Sequence, residues 1–221
     1  CAAPAASGET VQIGNAAVAF ASPQGFSRAD ALFPIDLTRM DGEFGTNTVV
    51  FAQFVPTEEI AIREADVLAI PSWYAHLSYD DIFSRVSIGK TGFIVTTYLV
   101  EKTVARQYGK ADFLRELETI ISGALSRRKI IITFMTHKGF VEKKPGFRSM
   151  LAYGRGQVAT KEGMEDFQLA TLTSFYLSEG KLLTLIQATR IQDEKDLPLF
   201  TAKALRIAAE MTGYKTPPPA P

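Results

Sequence analysis

The sequence predicts an α+β fold in which an antiparallel β-sheet packs against helices. Runs of β-branched and aromatic residues recur between turns rich in Gly, Pro and Asn. In the second half these runs follow one another with no helix between them, and two other segments carry apolar residues at helical spacing. Consecutive strands of this kind exclude a doubly wound sheet for that half of the chain.

The chain opens with a predicted hairpin, formed by residues 11–13 and 16–20 across a Gly-Asn pair. Residues 22–25, Ser-Pro-Gln-Gly, predict a turn because Pro fixes φ and Gly allows a positive φ. Residues 46–55 contain Val and Phe beside β-branched neighbours and predict a strand.

The middle of the chain is less regular. Thr57 is expected to cap a short helix over residues 57–65, and residues 67–70 predict a short strand. Residues 71–76 suggest a helical turn that starts at Pro71. Residues 93–104 are rich in Ile, Val and Thr, which favours a strand, although their length also allows a helix.

The second half gives the clearest signals. Leu and Ile at spacings of three and four residues predict a helix over residues 111–128. The predicted strands cover residues 130–134, 147–153, 168–177 and 182–189, with a hairpin turn at 178–181. A final helix is expected over 196–211, with Phe200, Ala204, Leu205, Ile207 and Ala208 on one face and Gly213 at its end.

The composition excludes two classes of protein, general nucleic-acid binders and largely disordered chains. The 221 residues include 24 Lys and Arg against 24 Asp and Glu, and 46% are hydrophobic. A chain without surplus positive charge is not a general nucleic-acid binder, and this hydrophobic content excludes wholesale disorder. We expect one folded domain over residues 10–215, a flexible tether over 1–9 and a Pro-rich tail over 216–221.

The only cysteine is Cys1, so the sequence contains no internal disulfide and no cysteine-based zinc site. A run of small residues follows it, which is typical of the mature end of a bacterial lipoprotein acylated at Cys1. An unmodified thiol is the alternative. Lipidation would hold the protein at the periplasmic face of a membrane, and Ala2 favours the outer membrane.

Two glycine motifs fall short of nucleotide sites. Gly89-Lys90-Thr91 resembles the end of a phosphate-binding loop, but Ser84 stands where that loop needs a glycine. Residues 154–159, GRGQVA, match a dinucleotide pattern, yet no helical pattern follows them. We interpret the first as a turn between strands and the second as a hairpin loop, and predict no cofactor.

Chemistry at a histidine would have to use His76 or His137, the only two in the chain. Asp80 and Asp81 follow His76 at helical spacing, so these residues could meet on a helical face and bind a metal with His137. The favoured interpretation is structural. His76 would belong to a partly buried segment, Asp80 and Asp81 would cap the next turn, and His137 would lie half-exposed in a hairpin.

A basic cluster contains Lys143 and Lys144, with Lys138 and Arg148 nearby. It could form a loop over an anionic membrane surface. A solvated loop is the favoured interpretation because the chain has no net charge.

Both ends of the chain show a resemblance to a known family. Residues 16–26, AAVAFASPQGF, are similar to the opening strand and the F-x-x-P-x-G-F turn of PsbP/DcrB-like proteins. Residues 168–211 resemble the closing strand, turn, strand and helix of the same family. The resemblance implies an α-β-α sandwich and a protein that binds rather than catalyses, and it carries over no functional residues.

Together these observations predict a non-catalytic, lipid-anchored envelope protein that acts as a binding or assembly factor with a protein partner. The 15 Phe residues suggest an alternative, a carrier of an apolar small molecule. A hydrolase that depends on His and Asp is the less favoured alternative.

Overall fold

The computed structural model describes residues 8–32, 48–66, 71–107, 130–160 and 163–214. The strands are β1 (Gly8–Ile13), β2 (Ala16–Ala21), β3 (Phe26–Arg28), β4 (Thr48–Pro56), β5 (Trp73–Asp80), β6 (Ile130–Lys144), β7 (Phe147–Thr160), β8 (Gly163–Ser178) and β9 (Lys181–Ile191). The α-helices are α1 (Ile60–Ala65), α2 (Asp81–Ser84), α3 (Lys90–Gln107) and α4 (Leu197–Thr212). Short 3-10 helices occupy Asp30–Leu32, Thr57–Glu59 and Glu194–Asp196.

Seven strands form one antiparallel sheet in the order β3-β4-β5-β9-β8-β7-β6, and β1 and β2 form a separate hairpin. The last of the described strands, β9, lies between β5 and β8, so it joins the two halves of the sheet. Helices lie on both faces of this sheet. The predicted α+β class, with an antiparallel sheet packed against helices, is confirmed.

One face of the sheet, the α4 face, is covered by α4 and by the β1–β2 hairpin. Leu183 and Leu185 of β9 and Leu172 of β8 are fully buried there. The apolar stripe of α4 packs on them, as the helical spacing predicts. Gly213, in the left-handed region at φ 67°, ends α4 at the predicted position.

The opposite face, the α3 face, is partly covered by α3. Phe93 of α3 is fully buried against a cluster formed by Met150, Phe175 and Leu182 of three adjacent strands. Thr97, one turn further along the helix, is also buried and donates its hydroxyl to the Phe93 carbonyl at 3.0 Å.

The predicted turn between β8 and β9 is confirmed, with Glu179 at φ 50° and Gly180 at φ 71°. Two consecutive positive φ values match the right-handed twist of the flanking strands. Lys181 follows with only 1% of its surface exposed. Its Nζ donates to the carbonyl oxygens of Ser84 at 2.6 Å and Val86 at 3.2 Å, which ties the end of α2 to the sheet.

The predicted β1–β2 hairpin is also confirmed, and its tip touches the end of α2. Gly14 has φ 58°, and a Cβ built on it would lie 2.2 Å from the carbonyl oxygen of Ser84. Only glycine fits this turn, because both the backbone conformation and the space exclude a side chain. The turn at residues 22–25 forms as predicted, with the Phe26 amide donating to the Pro23 carbonyl at 3.1 Å.

The strand favoured for residues 93–104 is wrong, since α3 runs through them. Phe93, Thr97 and Val100 recur at spacings of four and three residues and face the sheet. That one-sided burial outweighs the β propensity of the Ile, Val and Thr residues.

The helical turn suggested for residues 71–76 is wrong as well, because β5 begins at Trp73. Trp73, Ala75 and Leu77 alternate into the α4-face core. Tyr74, His76 and Ser78 lie between them on the opposite face, and His76 and Ser78 are buried there as well, so the strand has the period-two alternation without an exposed polar face.

Three smaller predictions need correction. Residues 154–159 lie inside β7 and not in a hairpin loop, and Gly89 leads into α3 and not into a strand. Thr57 begins a 3-10 helix without acting as its side-chain cap, and its hydroxyl oxygen lies 2.9 Å from that of Ser27. The strand predicted at 67–70 and the helix predicted at 111–128 fall outside the described residues.

Candidate functional site

The four polar residues singled out in the sequence do not come together. His76 lies on β5 and His137 on β6, with three strands between them. Four strand spacings correspond to about 19 Å. Because β5 is extended, Asp80 and Asp81 do not share a helical face with His76. In the described part of the chain, no cluster of three or more His, Cys, Asp or Glu residues could hold a metal ion.

Asp80 caps the following turn, as the favoured structural interpretation predicts, whereas Asp81 is the first residue of α2 and does not cap it. The Asp80 carboxylate accepts from the Ile82 amide at 2.8 Å at the start of α2. Asp81 accepts from the Ser84 hydroxyl at 3.0 Å and pairs with Arg85 at 3.4 Å. Both carboxylates are therefore engaged in local structure.

His76 is a neutral side chain in the core. It is 8% exposed, and its Nδ1 has no hydrogen-bond partner among the described residues. Its cross-strand neighbour is Gln53, whose Oε1 is also buried and without a partner there. Burial lowers the pKa of His76 to about 4 from its ordinary value of 6.5. A buried ring of this kind suits packing and does not carry charge near neutral pH.

The other histidine and the basic cluster lie on strands and not on a loop. His137 is half-buried in β6 opposite Ala152. Lys138 pairs with Glu194, and Lys144 pairs with Glu142 at 3.2 Å. The expectation of a basic loop at Lys143 and Lys144 is therefore wrong, because β6 continues through both residues.

An open site forms where β9 ends before its neighbour. The last β9 pair joins Ile191 to Gln168, whereas β8 continues to Gly163. Residues 164–167 of β8 therefore have only β7 as a strand neighbour within the described part of the chain. We call this step in the sheet the notch. It is lined by Arg155, Gly156, Gln157, Glu165, Asp166, Phe167, Gln168, Arg190, Ile191 and Gln192.

The notch borders an open cavity of ≈ 850 Å³. On one side Arg190 pairs with Glu165 at 3.0 Å, and its guanidinium carbon lies 5.3 Å from the centre of the Phe167 ring. On the other side Gln157 donates to the Asp166 carboxylate at 2.8 Å. These contacts fix the lining side chains on both faces of the sheet. The edge of β8 runs between the two sets of contacts.

The chemistry of this lining suits recognition. Glu165 and Asp166 are consecutive on a strand, so their carboxylates point to opposite faces and cannot act as an acid–base pair. The lining residues supply amides, guanidinium groups and carboxylates, none of which is an activated nucleophile. The backbone of β8 adds main-chain donors and acceptors at the same place.

Arg190 also lines a second cavity of ≈ 450 Å³ on the other side of β9. Arg63, which is 1% exposed, and Glu59 line it as well. Glu59 accepts from the Ser72 amide at 2.9 Å, which closes one wall. Arg190 is thus part of the lining of both cavities.

The sequence did not reveal the notch. The sequence pattern singles out only Gly154–Ala159 among the lining residues, as a nucleotide motif, and the acidic residues of β8 match no motif. The notch arises from unequal strand lengths, 16 residues in β8 against 11 in β9. Asp193, which caps the 3-10 helix that follows β9, is the residue in the sequence that marks where β9 ends.

Within the described residues, no helix has the length and apolar character needed to cross a membrane.

No family model, no curated protein and no solved structure matches this chain.

Proposed function

We propose that this protein is a non-catalytic binding or assembly factor of a bacterial envelope, anchored by a lipid on Cys1, and that a protein partner docks at the notch. The observation that carries the proposal is the edge of β8 at residues 164–167, which borders an open cavity. A strand edge of this kind accepts an extended segment of another chain through main-chain hydrogen bonds.

The side chains around the notch define what such a segment would meet. It would extend the line of β9 beyond Ile191 and lie along Glu165 and Asp166. Arg190 of β9 lies beside it and offers guanidinium donors to carbonyl or carboxylate groups of the partner, while Arg155 lines the notch from β7, across β8. Charged and amide side chains favour a polar peptide over an apolar small molecule, so the carrier function receives less support.

The anchor is proposed from the sequence. Cys1 is the only cysteine of 221 residues, and the small residues after it suit a tether between a membrane and a folded domain. We propose the periplasmic face of the outer membrane as the location. Similarity to PsbP/DcrB-like proteins stays a prediction of the sequence.

Two measurements test the proposal separately. The intact mass of the protein extracted from its own cells should exceed the 24.2 kDa of the bare chain by a diacylglyceryl group and an acyl chain. A bare mass would contradict the anchor alone.

The notch is tested by placing a photo-crosslinking amino acid at Glu165 in living cells. The matched control carries the same group at Lys203, an exposed residue of α4. A discrete adduct with one envelope protein at Glu165, absent at Lys203, is expected. Identical adducts at both positions, or none at Glu165, would contradict a partner at the notch.

A further inference from the structure

The register of β8 and β9 defines the positions that a docked segment would occupy in the notch. β9 pairs antiparallel with β8 as far as Ile191. The chain then leaves this line, since the Gln192 amide donates to the Asp196 carboxylate at 3.1 Å. A segment of another chain that continues the line of β9 would therefore lie opposite residues 164–167 of β8.

The two faces of the sheet differ in charge at these positions. Glu165 projects to the α3 face, where Arg190 of β9 pairs with it at 3.0 Å. Asp166 is exposed and projects to the α4 face, where its hydrogen-bond partner among the described residues is the neutral amide of Gln157 at 2.8 Å. The α3 face is thus balanced within the notch, whereas the α4 face presents a carboxylate held by a neutral group.

The other cation of the lining, Arg155, is engaged on the side away from Asp166. It lies on β7 two residues from Tyr153, and its Nε donates to the Tyr153 hydroxyl at 3.5 Å. That hydrogen bond raises the pKa of Arg155, and the carboxylate that adds to the rise is Glu194. The guanidinium of Arg155 therefore does not take the place of a cation at Asp166.

The segments that flank the notch add no surplus of positive charge. Lys161 and Glu162, which precede β8, carry opposite charges. Residues 193–196, which follow β9, include three acidic residues and one lysine. A cation brought by a partner would therefore meet attraction at Asp166 and no basic cluster beside it.

We propose that the segment which docks at the notch carries a lysine or arginine opposite Asp166, so that the notch selects an extended basic peptide of a partner protein. Opposite charges on directly facing residues of an antiparallel pair stabilise it, and like charges destabilise it. The cation would lie on the α4 face while the main chain of the segment bonds to the edge of β8. Such selectivity rests on the proposed function, since it names the chemistry of the partner at the notch.

A second copy of this chain is a poor occupant of the notch. If two β8 edges paired antiparallel about residues 165 and 166, Glu165 of each copy would face Asp166 of the other. A shift of one residue either way would set Glu165 opposite Glu165, or Asp166 opposite Asp166. All three registers oppose like charges, which disfavours self-pairing and favours a different, basic chain.

The test keeps both acidic residues of the edge in place. A photo-crosslinking amino acid replaces Met164, which is 51% exposed and lies on the same face as Asp166, in the full chain in living cells. Tandem mass spectrometry of the adduct identifies the linked segment of the partner. We expect a lysine or arginine two residues to the N-terminal side of the linked residue, where the antiparallel register puts the position opposite Asp166.

Charge variants locate the contact. Asp166→Lys should lower the yield of the adduct about tenfold, and Asp166→Asn about threefold. Glu64→Lys is the matched control, because it makes the same change of charge at an exposed residue of α1 and should leave the yield unchanged. Asp166 is exposed, so the urea midpoint of each variant should match that of wild type.

A charge swap with the identified partner completes the test. Replacing the basic residue of the partner by aspartate should lower the yield with wild type and restore it with Asp166→Lys. An unchanged yield with Asp166→Lys, a linked segment without a basic residue at that position, or an adduct with a second copy of the chain would each overturn the basic selectivity and leave docking at the notch standing. Absence of any adduct at both Met164 and Glu165 would contradict the proposed docking itself.

Discussion

Acidification should destabilise the protein through His76. The ring is buried, and its pKa is lowered to about 4 in the folded chain, against 6.5 in the unfolded chain. Between these two values the unfolded chain binds a proton that the folded chain does not. The free energy of unfolding therefore falls as the pH drops from about 6.5 towards 4. One pKa unit corresponds to about 1.4 kcal/mol, so His76 should contribute a loss of about 2 kcal/mol between pH 7 and about pH 4.5.

Urea unfolding at the two pH values measures this loss. Leu is close to His in size and cannot be protonated, so His76→Leu should lose about 2 kcal/mol less than wild type on acidification. His137→Leu is the control. On acidification its free energy of unfolding should still show the loss that His76 causes in wild type. If His76→Leu lost as much stability as wild type, the ring would have to accept its proton without disturbing the fold, and the reasoning from burial would fail.

Two further substitutions test how the end of α2 is held against the sheet and the hairpin. Gly14→Ala should destabilise by about 2 kcal/mol or more, because the methyl group would meet the Ser84 carbonyl and φ is positive. Gly8→Ala, with open space around it, should stay within about 0.5 kcal/mol of wild type in the same denaturation assay. Lys181→Met should cost about 2–4 kcal/mol by leaving the Ser84 carbonyl buried without its charged donor. The exposed Lys195→Met should have little effect, and equal stability of the two Met variants would disprove the role assigned to Lys181.

Elements with strong local signals could be predicted from the sequence. The β8–β9 turn contains Gly180 between two apolar alternating runs, and α4 combines an apolar stripe with Gly213 at its end. In these cases the local preference and the tertiary packing agree, so the sequence is sufficient.

The predictions of secondary structure fail where tertiary packing decides whether a segment is a helix or a strand. α3 is rich in β-branched residues, and only the sheet beneath Phe93 and Thr97 makes it a helix. β5 alternates Trp73, Ala75 and Leu77 with more polar residues, but Pro71, which can begin a helix, favoured a helical turn over that period-two pattern. The hypothesis of a metal site at His76 depended on a helical spacing that β5 does not have. The notch depends on where β9 stops relative to β8, which a single sequence does not encode locally.

Because β9 lies between β5 and β8, completion of the sheet depends on pairing between residues far apart in the chain. β5 and β8 become neighbours of a common strand only when residues 181–191 arrive, although β5 lies about a hundred residues earlier in the chain. Until then the first and second halves of the chain each present an unprotected strand edge. Such long-range pairing slows folding, and bare edges invite association between chains. A chain truncated before Lys181 should therefore aggregate rather than fold, and assembly of the sheet has to wait until β9 has been made.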